Sequence, residues 1–272
     1  MVELVEAVDE RGRGGRGERI HPLPSSADQF EMWVAALEAK HLADLTFAEV
    51  SRSLRALSST YVAHRQKLAE GAALSGRGKR AAFALFYGPL HYLIVAHIVR
   101  ELWHATPRVS TLIDLGCGTG AAGAAWATAV TSAPRIIGID IHPWAIREAS
   151  ETYRAFGLRA AVRQGDIAAT RLPTDRAALV AAFTFNEMPD AAREIMLPKL
   201  LERRIRGDRI LIVEPLAGGV ARWWNRWRTA VERAGGRGDE WRFRAELPAI
   251  VAKLDRAAAL DHRELTARSL FL

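Results

Sequence analysis

Apolar positions change their period near residue 109. From Ser26 to about His104 they recur every three or four residues: Phe30, Trp33, Val34 and Leu37, then Val50, Leu54 and Leu57. That spacing lines one face of a helix, so two amphipathic helices are expected, the second capped by Asp44 or Thr46. Ser75-Gly-Arg-Gly78 reads as a loop. The next segment, between Arg80 and Arg100, contains no formally charged residue and carries Phe83, Leu85, Phe86, Leu90, Leu93, Ile94, Val95 and Ile98. Gly88-Pro89 interrupts it, His91 and His97 lie within it, and it is at the short limit for a bilayer span. A buried helix kinked at Pro89 is expected, and no membrane partner.

Beyond Val109, short apolar runs alternate with helical patterns. Strands are expected at residues 111–115, 135–140, 160–164, 179–185 and 209–214. Helices are expected at 121–130, 144–156, 191–206 and 220–234. This βαβα order implies a parallel sheet covered on both faces. Residues 265–272 read as a closing strand that would make the sheet mixed. The expected fold class is α/β, Rossmann-like, with a helical N-terminal region. The divisions are a flexible Arg/Gly-rich tail at 1–25, a helical lid or substrate region at 26–106, and the α/β domain at 107–272.

Composition narrows the chemistry. A single cysteine, Cys117, excludes an internal disulfide framework and a cysteine metal cluster. No clustered His/Asp spacing suggests a metal, and no G-x-S-x-G turn suggests a hydrolase. No secretory leader pattern heads the chain, so a cytoplasmic location is expected. The net charge of +7 favours a polyanion such as RNA, although an arginine- and alanine-rich composition produces the same excess.

The most informative stretch is Thr111-Leu-Ile-Asp-Leu-Gly-Cys-Gly-Thr-Gly-Ala-Ala-Gly123. An apolar run ends in an acid and opens into alternating glycines before a helix. Glycine lets a ligand approach the backbone, and a helix start supplies free N–H groups. Gly118-Thr-Gly-Ala-Ala-Gly123 fits the dinucleotide pattern G-x-G-x-x-G, whereas Asp114 followed by Gly116, Gly118 and Gly120 fits that of S-adenosylmethionine (SAM) enzymes. Asp140 ends the next strand, where an acid bonds ribose hydroxyls in either case. Asp166 follows the third strand and suits an adenine amino group. Phe183-Thr-Phe-Asn-Glu-Met-Pro189 brings Asn186 and Glu187 to the carboxyl edge of the sheet, the ligand-binding edge of open α/β folds.

Ile113-Asp-Leu-Gly-Cys-Gly-Thr-Gly120, Gly138-Ile-Asp140, Gly165-Asp-Ile167, Phe185-Asn-Glu-Met188 and Val213-Glu-Pro215 occur in the order and spacing of the class I SAM-dependent methyltransferases, which the chain resembles over about residues 109–216. The resemblance implies a sheet of the seven-stranded type, SAM as cofactor and methyl transfer as activity. It also implies that Asp114, Gly116, Gly118 and Gly120 hold the methionine end. Asp140 would then bind the ribose, Ile141 pack on adenine and Asp166 bind its amino group. Cys117, Ile167, Phe185 and Asn186 are carried as cofactor-binding candidates within the same motifs. A second set, Tyr87-Gly-Pro-Leu-His-Tyr92, residues 183–190 and Val213-Glu-Pro-Leu-Ala-Gly-Gly219, is similar to the methyltransferase-like proteins of the mitochondrial small ribosomal subunit and their bacterial relatives. The chain departs from that family in lacking its several cysteines.

Asn186, Glu187, His91 and Tyr87 are the candidate catalytic groups. Asn186 and Glu187 could orient the acceptor or hold the cofactor's amino group, and His91 has the ordinary pKa of a general base. Trp144 either stacks on adenine or begins a core helix, and His142 edges the adenine site. Arg222-Trp-Trp-Asn-Arg-Trp-Arg228 puts Trp223 and Trp227 on one helix face between arginines. That pattern suits unpaired bases, or a helix packing its tryptophans inward. RNA, ribosomal by the second resemblance, is the leading expected acceptor and a small molecule the next. A SAM-binding ribosome-assembly factor without catalysis and an NAD(P)-binding oxidoreductase are the alternatives.

Overall fold

The computed structural model describes residues 25–63, 74–102, 109–216 and 222–272. Residues 1–24 of the expected tail at 1–25 and the start of the helix expected from 220 lie outside these residues. Seven strands form one sheet in the order β3-β2-β1-β4-β5-β7-β6. They are β1 (Thr111–Leu115), β2 (Arg135–Asp140), β3 (Ala160–Gln164), β4 (Ala178–Ala182), β5 (Arg209–Glu214), β6 (Arg237–Phe243) and β7 (Leu265–Phe271). β1 to β5 pair in parallel, while β7 runs antiparallel to both β5 and β6. The chain order reverses between β1 and β4, so a crevice opens there at the carboxyl ends of the strands.

The strands alternate their side chains between two apolar layers. Leu112, Ala178, Val180, Leu211 and Val213 enter one core, and Ile113, Leu115, Leu179, Ala181, Ile210 and Ile212 the other. Helices α7 (Asp190–Ile205) and α8 (Arg222–Arg233) cover the second face. The first face takes α5 (Ala121–Ala129), α6 (Pro143–Ala155), α9 (Ala249–Ala257) and the whole N-terminal group: α1 (Ser26–His41), α2 (Phe47–Ala63), α3 (Arg77–Ala82) and α4 (Gly88–Leu102). The N-terminal helices therefore share a core with the sheet. Trp33 Nε1 donates to Thr152 Oγ1 at 3.1 Å, and Lys40 and His41 both reach buried Glu148 on α6, at 2.8 and 2.9 Å.

The apolar segment holding α3 and α4 is one helical run, Arg77–Leu102, long and apolar enough to cross a membrane but 72% buried within the protein over its most apolar window. The expected disturbance at Pro89 takes the form of a π-helical turn, Phe83–Tyr87, with the Gly88 N–H bonded to the Phe83 carbonyl. Proline has no N–H to donate and crowds the carbonyl four residues back; a widened turn relieves both and keeps the helix continuous. Phe83, the first residue of this turn, lines the crevice, where its ring is the nearest group to the open side of Gly118.

Three elements differ from the sequence expectation. β4 stops at Ala182 instead of 185, because Phe183 takes a left-handed conformation with φ 59°. β6 and α9 occupy the stretch after 234, where β6 has no apolar run to announce it and α9 carries only the short run Ala249-Ile-Val-Ala252.

Candidate functional site

A cavity of about 340 Å³ lies at the carboxyl ends of β1 to β4. Gly116, Cys117 and Gly118 form its floor, Asp140, Ile141 and His142 one side, Gly165, Asp166 and Ile167 the next, and Phe183, Thr184, Glu187 and Met188 the other. Phe83 and His91 close it from the N-terminal helices.

The glycines in the loop serve different needs. Gly118 has φ 52°, and a Cβ there would meet only the Phe83 ring, at 3.8 Å, so its missing side chain is open ligand space. The others are required by the protein itself. A Cβ on Gly116 would lie 2.4 Å from Thr184, and one on Gly123 2.5 Å from the Asp114 carboxylate.

Asp140 is held in place by its own turn and by the glycine loop. Oδ2 accepts from the Gly118 N–H at 2.9 Å and Oδ1 from the His142 N–H at 2.8 Å. Each oxygen keeps lone pairs for a ligand. Burial pushes its pKa up, opposed by the bonds from His142 and Gly118. Asp166 uses Oδ1 to cap its own loop through the Ala168 N–H at 2.8 Å. Between these two acids stands Ile141, 68% exposed at the cavity edge. His142 caps α6, with Nδ1 accepting from Trp144 N–H at 3.1 Å, and Trp144 itself is buried as a core residue outside the cavity wall.

Five expected site residues, four cofactor ligands and the catalytic candidate Tyr87, lie outside the wall. Asp114 lies beneath the glycine loop, where Oδ2 accepts from Gly123 N–H and Tyr153 O–H, each at 2.8 Å. Burial pushes its carboxyl up to about 7 despite those bonds. Asp114 thus braces the loop from behind. Gly120 caps α5 in the left-handed region and packs against α6. Phe185 is fully buried, its ring 4.9 Å from that of Trp227. Asn186 turns its side chain to Trp223, whose Nε1 donates to Oδ1 at 3.2 Å. Tyr87 is hydrogen-bonded to Ser58, and burial raises its hydroxyl to about 12, far from any proton-transfer role at neutral pH.

His91 does line the cavity, but as an uncharged wall. Its ring stacks on Phe183 at 3.8 Å between centroids, and burial lowers its pKa to about 3. An imidazole that resists protonation so strongly is a poor base. Burial likewise raises the Cys117 thiol, so it offers no thiolate.

Glu187 is the expected catalytic candidate that the fold delivers to the wall with a carboxylate. Phe83 and Phe183 were missed as wall residues. Only the strand-end position of Phe183 could have signalled it, since Phe83 looks like any core aromatic in sequence. Three carboxylates, Asp140, Asp166 and Glu187, line the cavity, and none of the described residues in its wall is a lysine or arginine. That charge balance suits a cation, and a rigid acid beside an exposed isoleucine suits a nucleoside. These residues fit SAM.

The comparisons agree with that fit. Residues 112–203 match the family described as methyltransferase domain. Over those residues the chain is similar to methyltransferase domains, and SAM is the cofactor this implies. Similar solved structures include an O-methyltransferase family protein from Burkholderia thailandensis, with TM-score 0.53 and 15% identity over 74% of this chain and 61% of that one. Mitomycin 7-O-methyltransferase MmcR has TM-score 0.51 and 15% identity over 90% of this chain and 74% of its own. A SAM dependent methyltransferase from Aquifex aeolicus has TM-score 0.42 and 18% identity over 67% and 90%. At these identities the likeness is one of fold. No curated protein matches the chain.

The Arg-Trp motif on α8 resolves toward packing. Trp223, Trp224 and Trp227 are all buried, Arg226 pairs with Glu194, and Arg228 pairs with Glu232 at 2.8 Å. These tryptophans present no face to unpaired bases.

Proposed function

We propose that the cavity binds SAM with its adenosine between Ile141 and Ile167. In this reading Asp140 holds the ribose hydroxyls, Asp166 the adenine amino group, and Gly116 to Gly118 the methionine end. The observation that carries it is the open Cβ side of Gly118 beside the pinned carboxylate of Asp140. The group bound there supplies a methyl on a sulfonium, already activated for in-line displacement, so positioning of the acceptor can supply much of the rate. His91, held neutral, lines the site without repelling that cation. Glu187 is the carboxylate at the β4 end and takes the acceptor's hydrogen bond, or its proton where the acceptor is an O–H or N–H group.

The acceptor we propose is a small organic molecule, neutral or cationic, that enters the aromatic end of the cavity. Support comes from the wall itself, which combines Phe83, Phe183, His91 and Met188 with acids and has no lysine or arginine among the described residues. The net charge of +7 favours RNA as the second reading.

Calorimetry of the full-length chain with SAM tests the cofactor site: binding is expected, and its absence would overturn the reading. A transfer assay with labelled methyl donor against cell RNA, protein and metabolite fractions tests the acceptor. Label in the metabolite fraction is expected. Label in RNA, lost as salt rises, would replace the small-molecule acceptor with RNA and leave methyl transfer standing.

A further inference from the structure

Residues 184–189, which carry Glu187, do not rest on the cavity; they are held from behind. Glu214, at the end of β5 and fully buried, accepts with one oxygen from the Phe185 N–H at 2.7 Å and the Asn186 N–H at 3.2 Å. Arg193 on α7, also buried, takes the carbonyls of the same turn, Phe185 through Nε at 2.8 Å and Met188 through a terminal nitrogen at 2.6 Å. Its remaining nitrogen pairs with Asp190 at 2.7 Å. Trp223 adds the bond to Asn186, and its ring lies 5.1 Å beneath the Arg193 guanidinium. Trp224 supports Arg268 in the same way at 4.2 Å, and Arg268 is the β7 residue in register with Glu214.

We infer that Glu214, Arg193 and Trp223 are positioning residues whose joint task is to fix the turn at 184–189 so that Glu187 faces the methyl-bearing end of the cofactor. The inference rests on the proposed SAM site. A buried carboxyl oxygen clamps the donors of the turn, a cation clamps its acceptors, and the aromatic pair of α8 seats the guanidiniums. Burying an ionisable group is costly without partners, so placing two at one short turn needs a reason beyond packing. Thr184 anchors the turn's start on the glycine loop, its hydroxyl donating to the Leu115 carbonyl at 3.1 Å. The turn thus bridges the sheet's edge and the cofactor floor. Glu187 then stands at the β1/β4 end of the cavity, opposite Asp140 and Asp166, where the sulfonium would lie.

The test compares SAM with S-adenosylhomocysteine, which lacks the sulfonium charge, by calorimetry on the full-length chain. Wild type is expected to prefer SAM, and E187Q to lower the SAM/homocysteine-form affinity ratio about tenfold, the loss of one partly desolvated charge contact. E214A should lower the ratio by the same factor, and the E187Q/E214A double variant should be no worse than either alone. E214Q, whose amide oxygen still accepts both N–H groups, should restore the wild-type ratio. W223F, which removes the bond to Asn186 and leaves a smaller ring beneath Arg193, should fall between. An E214A ratio equal to wild type, or additive losses in the double variant, would overturn the inference while leaving SAM binding intact. If E214A does not fold, W223F and the two glutamine variants still decide. Failure of wild type to bind either compound would instead remove the cofactor site.

Discussion

Single residues at the loop separate binding from folding. Gly118→Ala adds a methyl into open space at φ 52°. The left-handed conformation costs about 1–2 kcal/mol, and the methyl takes space the ligand needs. A folded protein with SAM affinity reduced at least about tenfold is expected, read by calorimetry beside a melting curve. Gly123→Ala drives a Cβ to 2.5 Å from Asp114 Oδ2, far from the ligand. It should lower the melting temperature instead, and any SAM bound by the folded fraction should bind with near wild-type affinity. Asp140→Ala removes an acceptor already fixed by two N–H groups, so little reorganisation can compensate. SAM affinity is expected to fall at least about tenfold, as charged hydrogen bonds of this kind contribute about 1.5–3 kcal/mol. Equal affinity in that variant would place the ribose elsewhere.

At the scale of elements, α8 is the informative case. Its tryptophans were readable from sequence as either a nucleic-acid face or a core face, since helical spacing is the same for both. Burial decides it: Trp227 has no exposure at all. Trp227→Ala should therefore cost about 3–5 kcal/mol of stability, measured by denaturant unfolding, with no change in the salt dependence of any RNA contact. Elements with strong apolar runs, β1, β2 and β5, were legible to the residue because both faces of a parallel strand are buried. β6 was not, since Arg237, Gly238, Asp239, Glu240, Trp241, Arg242 and Phe243 present an edge strand that is half exposed. The wall of the site was legible where it depends on strand ends, as with Asp140, Asp166 and Glu187. It was illegible where tertiary packing decides orientation. Asp114 and Asn186 look like ligands in sequence, yet Tyr153 and Trp223, both distant in the chain, claim their oxygens.

On the scale of the whole molecule, the buried acids tie stability and cofactor binding to pH. Asp114 is raised from 3.8 to about 7 and Glu214 from 4.5 to about 8, both chiefly by burial. A raised acid holds its proton in the folded state and loses it in the unfolded one. Its stabilisation is complete below the unfolded value and declines as pH rises toward the folded value. The lowered histidines His91, His97 and His142 work the other way and finish their contribution once pH passes about 6.5, where the unfolded imidazole is neutral. The interval from pH 7 to about 8 therefore isolates the acids, and Glu214 above all. The melting temperature of the ligand-free protein should fall across that interval and then level, and E214Q should remove most of the slope. A cation in the cavity stabilises ionised carboxylates near it. SAM binding near pH 7 should then release protons, seen as a binding enthalpy that varies with the ionisation enthalpy of the buffer, and S-adenosylhomocysteine should release fewer. Binding that is buffer-independent for both compounds would mean that the acids beneath the loop do not sense the cofactor's charge. Asp114 would then be a brace for Gly123 and Tyr153 alone.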